Sequence, residues 1–462
     1  MKIIATSNIY LIITLLSGLI LRLLFSFYFS KYYFGDVNYT IGDSYSYVNP
    51  ILNLIKYGIY AFDIDEIDSY FYRGPVYPFF WGIHYLLFGE NIVFESVAFS
   101  QSIIDVFSGY LIYKILCSFG VPTKYSFLGM FMYLINPILL VHVPITGTET
   151  LAILITLFYF HLLVKSKNNL DYVKIGILAG VSLLTRQYLG ILMPIGIVYI
   201  FLNSNLNFQK IIKNSIIIFL SFSLTLTPWF LRNYINWGKP IILMGKTTGY
   251  QSYQEDYIAF EKLYSLIYID VTPIFDSVAK SGEDTMTNSK VLGSLRGELQ
   301  ELNKMAFECG PSFNSRRNNI LYKKDNKLSN NCKNQLSNGY DKLRVNLLAQ
   351  NGFIFKYKTA LLNLKKSFFK MDLTSRPSSV KDIFIYLSFS FRIFYVILGF
   401  LSILFIKGNK KVAILLFPLF MFFFVSVVIR HVEIRYLAQA ETILIILATY
   451  TLFKIRSLPF FT

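Results

Sequence analysis

Pro75-Val76-Tyr77-Pro78-Phe79-Phe80-Trp81-Gly82-Ile83-His84-Tyr85-Leu86-Leu87-Phe88 holds no Asp, Glu, Lys or Arg over 14 residues. As a helix it would reach roughly 21 Å at 1.5 Å per residue, short of a hydrocarbon core about 30 Å thick. The stretch therefore reads as a helix lying in the membrane interface, not crossing it. That reading orders everything downstream. If Pro75–Phe88 stays on the outer side, Phe94–Leu116 runs inward and Lys114 and Lys124 fall in a cytoplasmic turn. Lys165-Ser166-Lys167, Lys210, Lys213, Lys407 and Lys410-Lys411 then share that side, as the positive-inside rule requires. Counting the stretch as a span would put all these lysines outside.

The map that results is an all-α polytopic membrane protein of about ten transmembrane helices, with outer-face juxtamembrane helices and one large extracytoplasmic loop. Its spans are Ile3–Phe29, Phe94–Leu116, Tyr125–Val141, Thr150–Val164, Val173–Leu184, Tyr188–Leu202, Ser215–Leu231, Ile383–Ile406, Val412–Ile429 and Leu437–Phe453. Composition agrees: of 462 residues, 54% are hydrophobic, 18% aromatic and 15% charged, outside the range of ordinary soluble domains. The net charge of +17 resides in lysine-bearing loops, and no nucleic-acid motif accompanies it. Met1-Lys2 leads straight into more than 20 largely apolar residues with no small-residue cleavage site, so the first helix is expected to remain uncleaved.

Three modules follow: 1–231, a transmembrane module including a first outer loop at 30–93; 232–382, an extracytoplasmic loop domain; and 383–462, the closing helices. In the long loop Ser294–Glu308 reads as a helix and Asp341–Lys370 as a basic amphipathic helix on the membrane surface, with Phe353, Phe355, Leu361, Leu364 and Phe368 apolar among lysines. The polar runs Lys280–Lys290 and Asn314–Asn338 read as irregular. Cys309 and Cys332, two cysteines in one outer loop, are expected to pair. Cys117, on the inner side, reads as a small apolar residue.

Candidate chemistry gathers at the outer ends of the spans. Asp43, in Ile41-Gly42-Asp43-Ser44-Tyr45-Ser46-Tyr47, follows the first span and precedes an amphipathic run from Ser44 to about Tyr57. Its position also suits a helix cap. Glu149, in Thr146-Gly147-Thr148-Glu149-Thr150, stands at the edge of the fourth span, where an acid is a functional candidate or a favourable charge at a helix N-terminus. Arg73, Arg186, Arg232, Arg430 and Arg435 break the inside bias of the lysines. Orientation does not need them there; a phosphate, which a guanidinium grips with two parallel bonds, would. Snorkelling to phospholipid is the plainer alternative. Of the isolated histidines, His84, His142 and His161 read as packing or interface residues, and His431 as the one to test.

The order of these features resembles the GT-C superfamily of membrane glycosyltransferases, and within it the family-39-like enzymes akin to protein O-mannosyltransferases and lipid A aminoarabinose transferases. Asp43 in the first outer loop, Arg73 to Pro78 leading into the interfacial helix, Glu149 after the third span, and Pro228-Trp229 with Arg232-Asn233-Tyr234 carry the likeness. Leu184-Thr185-Arg186 and Arg435-Tyr436 add to it. The resemblance covers residues 1–250 best. It implies an inverting transfer of sugar from a polyprenyl-phosphate donor to a glycan, lipid or protein acceptor at the outer face of the plasma membrane. Asp43 would be the acceptor base and Glu149 would position the acceptor or support Asp43, with Arg73, Arg186, Arg232, Arg435 and His431 on the lipid phosphate. Many relatives carry two neighbouring acids in the first loop, whereas Ser44 follows Asp43 here, so no cofactor is expected and a divalent metal is the weaker alternative. Other readings of the residues are a flippase or transporter of lipid-linked sugars, or a polymerase or ligase of surface polysaccharide. A transporter should carry polar or broken helices at mid-membrane. These spans hold few charges, chiefly Arg22, Asp105 and Arg392, which favours surface chemistry.

Overall fold

The computed structural model describes residues 2–35, 39–65, 70–71, 73–202, 207–238, 240–242, 255–267, 271–284, 295–308, 330–353, 357–369, 379–406, 409–429 and 433–457. Among them every regular element is helical. In chain order these are α1 (Lys2–Leu24), α2 (Ser44–Tyr57), α3 (Val76–Phe88), α4 (Val93–Ser118), α5 (Thr123–Leu134), α6 (Glu149–Lys165), α7 (Asn169–Thr185), α8 (Leu192–Phe201), α9 (Phe208–Trp237), α10 (Glu255–Ile267), α11 (Thr272–Ser281), α12 (Arg296–Glu308), α13 (Asn330–Phe353), α14 (Thr359–Phe369), α15 (Ser379–Leu401), α16 (Asn409–Phe423) and α17 (Ala438–Arg456). Ile9–Phe34, Phe208–Asn236, Ile385–Leu404 and Ala438–Arg456 are long and apolar enough to cross a membrane; Val76–Phe88, Gln187–Phe201 and Val412–Val428 are shorter apolar helices.

Two compact units divide the chain. The first comprises Met1–Gly245, Met371–Phe422 and Ile434–Thr462. Here α7 meets α9 closely enough that a Cβ on Gly176 would fall 2.5 Å from the Ile218 carbonyl oxygen, the small-residue contact by which apolar helices approach in lipid. Two buried ion pairs join helices here. Arg22 on α1 meets Asp105 on α4 at 2.7 Å and donates to the Leu134 carbonyl at 2.6 Å, while Tyr133 donates to the same carboxylate. Arg392 on α15 meets Glu441 on α17 at 2.6 Å, and Tyr395 donates to Glu441 at 2.5 Å. All four ionic side chains are buried. In an apolar interior such a pair fixes how two helices meet, because either charge alone would be very unfavourable.

Beneath the candidate site, Val48 and Ile51 of α2, Trp81 of α3, Val93 and Val97 of α4, Leu184 of α7 and Leu226 and Trp229 of α9 form one buried cluster. It seats α2 and α3 on the long helices, consistent with α3 serving as a packed platform.

The second unit comprises Lys246–Lys370 and Phe423–Glu433. Residues of α10, α11, α12 and α13 share a core of their own, with Phe260, Tyr264, Ile274, Leu299 and Tyr340 inside it. On α14, Thr359, Asn363 and Ser367 are buried, and Asn363 donates to the Ser426 carbonyl at 3.2 Å. The opposite face leaves Leu361 and Phe369 exposed.

Some boundaries differ from the sequence reading. Tyr125–Val141 is not one helix: α5 stops at Leu134, and Asn136 accepts from the Ile138 amide to start the single turn Pro137–Leu140. Pro137 lacks the amide that a continuing helix would need. Tyr188–Leu202 opens with a 3-10 stretch over Gln187–Ile191 before α8. The expected helix Asp341–Lys370 is two helices, and α13 begins at Asn330, inside a run read as irregular. Leu336, Tyr340, Leu343 and Leu347 bury one face of it, so tertiary packing outweighs a polar, Asn-rich local sequence. Cys332 is disulfide-bonded and Cys117 is free. Cys309, Phe355, Arg430 and His431 lie outside the described residues.

Candidate active site

Asp43 occupies the N-cap position of α2 but its side chain makes no capping bond. Two serines do the local work. Ser44 Oγ exchanges hydrogen bonds with the amide and carbonyl of Ile41, both at 3.0 Å, and Ser46 Oγ donates to the Asp43 carbonyl at 2.5 Å. The carboxylate is thereby left to face cations. Asp43 Oδ2 lies 3.5 Å from Arg73 Nη2 and 3.3 Å from Arg435 Nη2, with the Asp43 side chain 31% exposed. Oδ1 takes no hydrogen bond among the described residues.

Arg73 is held from three directions. Its Nε donates to Ser46 Oγ at 2.8 Å and its guanidinium lies 4.3 Å from the centroid of the Tyr47 ring. Behind it, Gly74 passes so near α7 that a Cβ would fall 1.9 Å from the Leu184 carbonyl oxygen. Only glycine permits that approach.

The second acid is buried. Glu149 Oε1 meets Arg186 Nη2 at 2.5 Å, with both side chains 8% exposed. Oε2 occupies the space above Gly147, where a Cβ would sit 2.6 Å away. Burial pushes the Glu149 carboxyl up. The charges of Arg186, His142 and Arg435, with a bond from its own main chain, outweigh burial and hold it at about 2 against an ordinary 4.5. Glu149 is thus an anion at any physiological pH. Arg186 also donates to Thr148 Oγ1 at 2.6 Å, to Tyr188 Oη at 2.5 Å and to the main-chain carbonyl of Arg435 at 3.1 Å. Tyr188 passes the chain of bonds on to Gln439 at 3.1 Å.

Five of the residues singled out in the sequence therefore converge: Asp43, Arg73, Glu149, Arg186 and Arg435. They divide into a half-buried group around Asp43 and a buried strut, Glu149–Arg186, which supports it through the Arg435 main chain. Arg232 does something else. Its Nη1 donates to the Tyr70 carbonyl at 2.9 Å and its Nη2 to the Tyr60 carbonyl at 2.5 Å, and the guanidinium packs over Trp229 and Tyr60. It holds the loop that leads to Arg73, whose own carbonyl accepts from Tyr60 Oη at 3.3 Å. His142, read as isolated, lies near enough to Glu149 to bear on its charge.

Three guanidiniums face two carboxylates, a surplus of positive charge suited to an anion. Among the described residues no three His, Cys, Asp or Glu side chains are grouped to hold a metal. Among the described residues each of the two carboxylates is set against arginine.

Residues 72–230 match the dolichyl-phosphate-mannose-protein mannosyltransferase family. Among solved structures the chain is similar to the archaeal oligosaccharyltransferase AglB from Archaeoglobus fulgidus in complex with an inhibitory peptide and a dolichol-phosphate, at 15% identity and a TM-score of 0.54. That alignment covers 96% of this chain and 50% of the other. The Archaeoglobus fulgidus oligosaccharyltransferase tethered by a disulfide to an acceptor peptide with the NVT sequon is similar at 12% identity and a TM-score of 0.53, over 97% of this chain and 50% of that one. The chain thus spans about half the length of these structures. No curated protein matches it by sequence. Residues 72–230 thus resemble that mannosyltransferase family, and the chain shares the fold of the archaeal oligosaccharyltransferase over nearly its whole length.

Proposed function

We propose that the protein transfers a sugar, with inversion, from a polyprenyl-phosphate donor to an acceptor hydroxyl or amine on protein, glycan or lipid, at the outer face of the plasma membrane. The observation that carries this reading is Asp43: one oxygen shared by Arg73 and Arg435, the other without a hydrogen bond among the described residues, in a site of net positive charge. A donor phosphate competes with Asp43 for the same two guanidiniums. As it takes them, negative charge growing on the phosphate is stabilised and Asp43 becomes available to the acceptor. The bond from the anomeric carbon to the phosphate oxygen breaks, and the acceptor oxygen or nitrogen bonds that carbon from the opposite face. The acceptor proton goes to Asp43, and polyprenyl phosphate leaves with the electron pair. Glu149, ionised and locked to Arg186, holds the main chain of Arg435 in place. The family matched by residues 72–230 and the dolichol-phosphate bound by the archaeal relative support a lipid-phosphate donor.

Membranes containing the protein, incubated with radiolabelled polyprenyl-phosphate monosaccharides, should move label to a second molecule and accumulate unlabelled polyprenyl phosphate. Label that crosses the bilayer still attached to its lipid would instead identify a flippase.

The ten-span map belongs to the same reading, since it sets Asp43 and Glu149 on one face. A reporter inserted after Lys167 should be cytoplasmic and one after Glu90 extracytoplasmic. Lys167 found outside would overturn the map.

A further inference from the structure

Glu149 and Arg73 are supplied by separate parts of the chain, and one tyrosine stands between them. Tyr77 on α3 is wholly buried. Its hydroxyl donates to Gln101 Oε1 on α4 at 3.0 Å and accepts from the Gly147 amide at 2.8 Å. Gln101, also wholly buried, donates through Nε2 to the carbonyls of Val143 at 2.7 Å and Ile145 at 2.9 Å. Three main-chain groups of the segment just ahead of Glu149 are thus fixed by two side chains. The same segment reaches the first loop, where the Thr146 amide donates to the Tyr39 carbonyl at 2.8 Å. On its other side the Tyr77 ring takes Tyr47 edge-on at 5.3 Å, and Tyr47 is the ring against which Arg73 packs.

The segment that this pair holds is irregular, because Pro137 and Asn136 have broken the helix before it. Irregular backbone buried in the protein needs partners from side chains, since unmet carbonyls and amides are costly. Burial raises the Tyr77 phenol well above its ordinary value, so it remains a donor to Gln101 while it accepts from Gly147. An apolar pair would fill the same space and pack as well. It would leave the segment with no fixed register, and Glu149 with no fixed distance from Arg186.

We propose that Tyr77 and Gln101 are positioning residues for catalysis, a two-side-chain relay that sets where Glu149 stands relative to Arg73 and Asp43. The inference rests on the transferase reading above. Neither side chain touches substrate; both act through the 143–149 segment.

Tyr77→Phe keeps the ring and deletes the hydroxyl, and Gln101→Met keeps the length and deletes the amide. Each is expected to lower kcat for sugar transfer by roughly 10-fold or more, with the donor KM within about 2-fold, because binding groups are intact and alignment is lost. The double variant should be about as slow as the slower single, since the two act as one unit. A substrate-free measurement decides the structural half. The carboxylate infrared band of Glu149, assigned by difference against Glu149→Gln, should persist to strongly acidic pH in the unsubstituted protein and disappear at higher pH in Tyr77→Phe. Wild-type kcat in Tyr77→Phe, additive losses in the double variant, or an unchanged Glu149 band would each overturn the relay. A lack of sugar transfer by the unsubstituted protein would count against the transferase, and the infrared titration would still report on the relay.

Discussion

Asp43→Asn should lower sugar transfer by roughly 10²–10⁴-fold, the usual contribution of a positioned general base, while the protein still folds and still binds donor. The substitution is nearly isosteric. It removes the negative charge between Arg73 and Arg435 and the proton-accepting oxygen together. Stability should change little. Asparagine is as good an N-cap as aspartate, and the Asp43 carboxylate makes no cap bond for it to replace. The ion pairs lost are partly exposed, and pairs open to water are worth only about 0–1 kcal/mol. The measurement is the transfer rate at saturating donor and acceptor, beside the thermal midpoint. Full activity with an unchanged midpoint would sink Asp43 as base. Donor affinity gives a second readout: with the competing carboxylate gone, Arg73 and Arg435 should hold the lipid phosphate at least as tightly as before. A KM for donor that rises sharply in Asp43→Asn would contradict the exchange of arginines from carboxylate to phosphate.

What the sequence disclosed and what it hid follow one physical line. Charges are costly beside a bilayer, so Asp43, Glu149, Arg73, Arg186 and Arg435 stand out against apolar neighbours, and they converge. Arg232 stands out for the same reason, yet its charge is spent on main-chain carbonyls. Charge alone does not distinguish a ligand-facing arginine from one that holds a loop. Tyr77 and Gln101 carry no charge, and nothing in their spacing marks them. A glutamine inside the expected span Phe94–Leu116 was the available signal, since a buried amide must find partners for its donors and acceptor. Glu441 was hidden within Leu437–Phe453, and becomes legible only when Arg392 is found opposite. The run 330–338 misled in another way. Its Asn- and Lys-rich stretches look unstructured one at a time. Burial of Leu336, Tyr340, Leu343 and Leu347 depends on α10 and α12, which are distant in sequence.

Arg435→Ala should raise the KM for the polyprenyl-phosphate donor by about 10–100-fold, what losing a charge-assisted hydrogen bond of about 1.5–3 kcal/mol amounts to. Its main chain and side chain have separate duties. The carbonyl accepts from Arg186 at 3.1 Å and is held by the Glu149 strut. The guanidinium, 29% exposed, reaches Asp43 at 3.3 Å and packs against the Tyr436 ring. Truncating the side chain therefore leaves the main-chain contact to Arg186 in place and removes the guanidinium proposed to hold the phosphate. Lysine should restore little, because an ammonium cannot make two parallel bonds to phosphate or lie flat on a ring. Arg232→Ala is the matched control. Its guanidinium serves the Tyr60 and Tyr70 carbonyls, so its loss should lower the thermal midpoint and leave the donor KM within about 3-fold if positioning of Arg73 survives. The comparison has two informative failures. Equal donor KM effects in the two variants would mean that Arg232 also reaches the phosphate, as its place in the sequence suggests. An Arg435→Ala protein with wild-type donor KM and normal kcat would leave Arg435 as a partner of Asp43 only. The phosphate would then have to be gripped by Arg73 without it, on the side of Asp43 where Ser46 and Tyr47 hold that guanidinium.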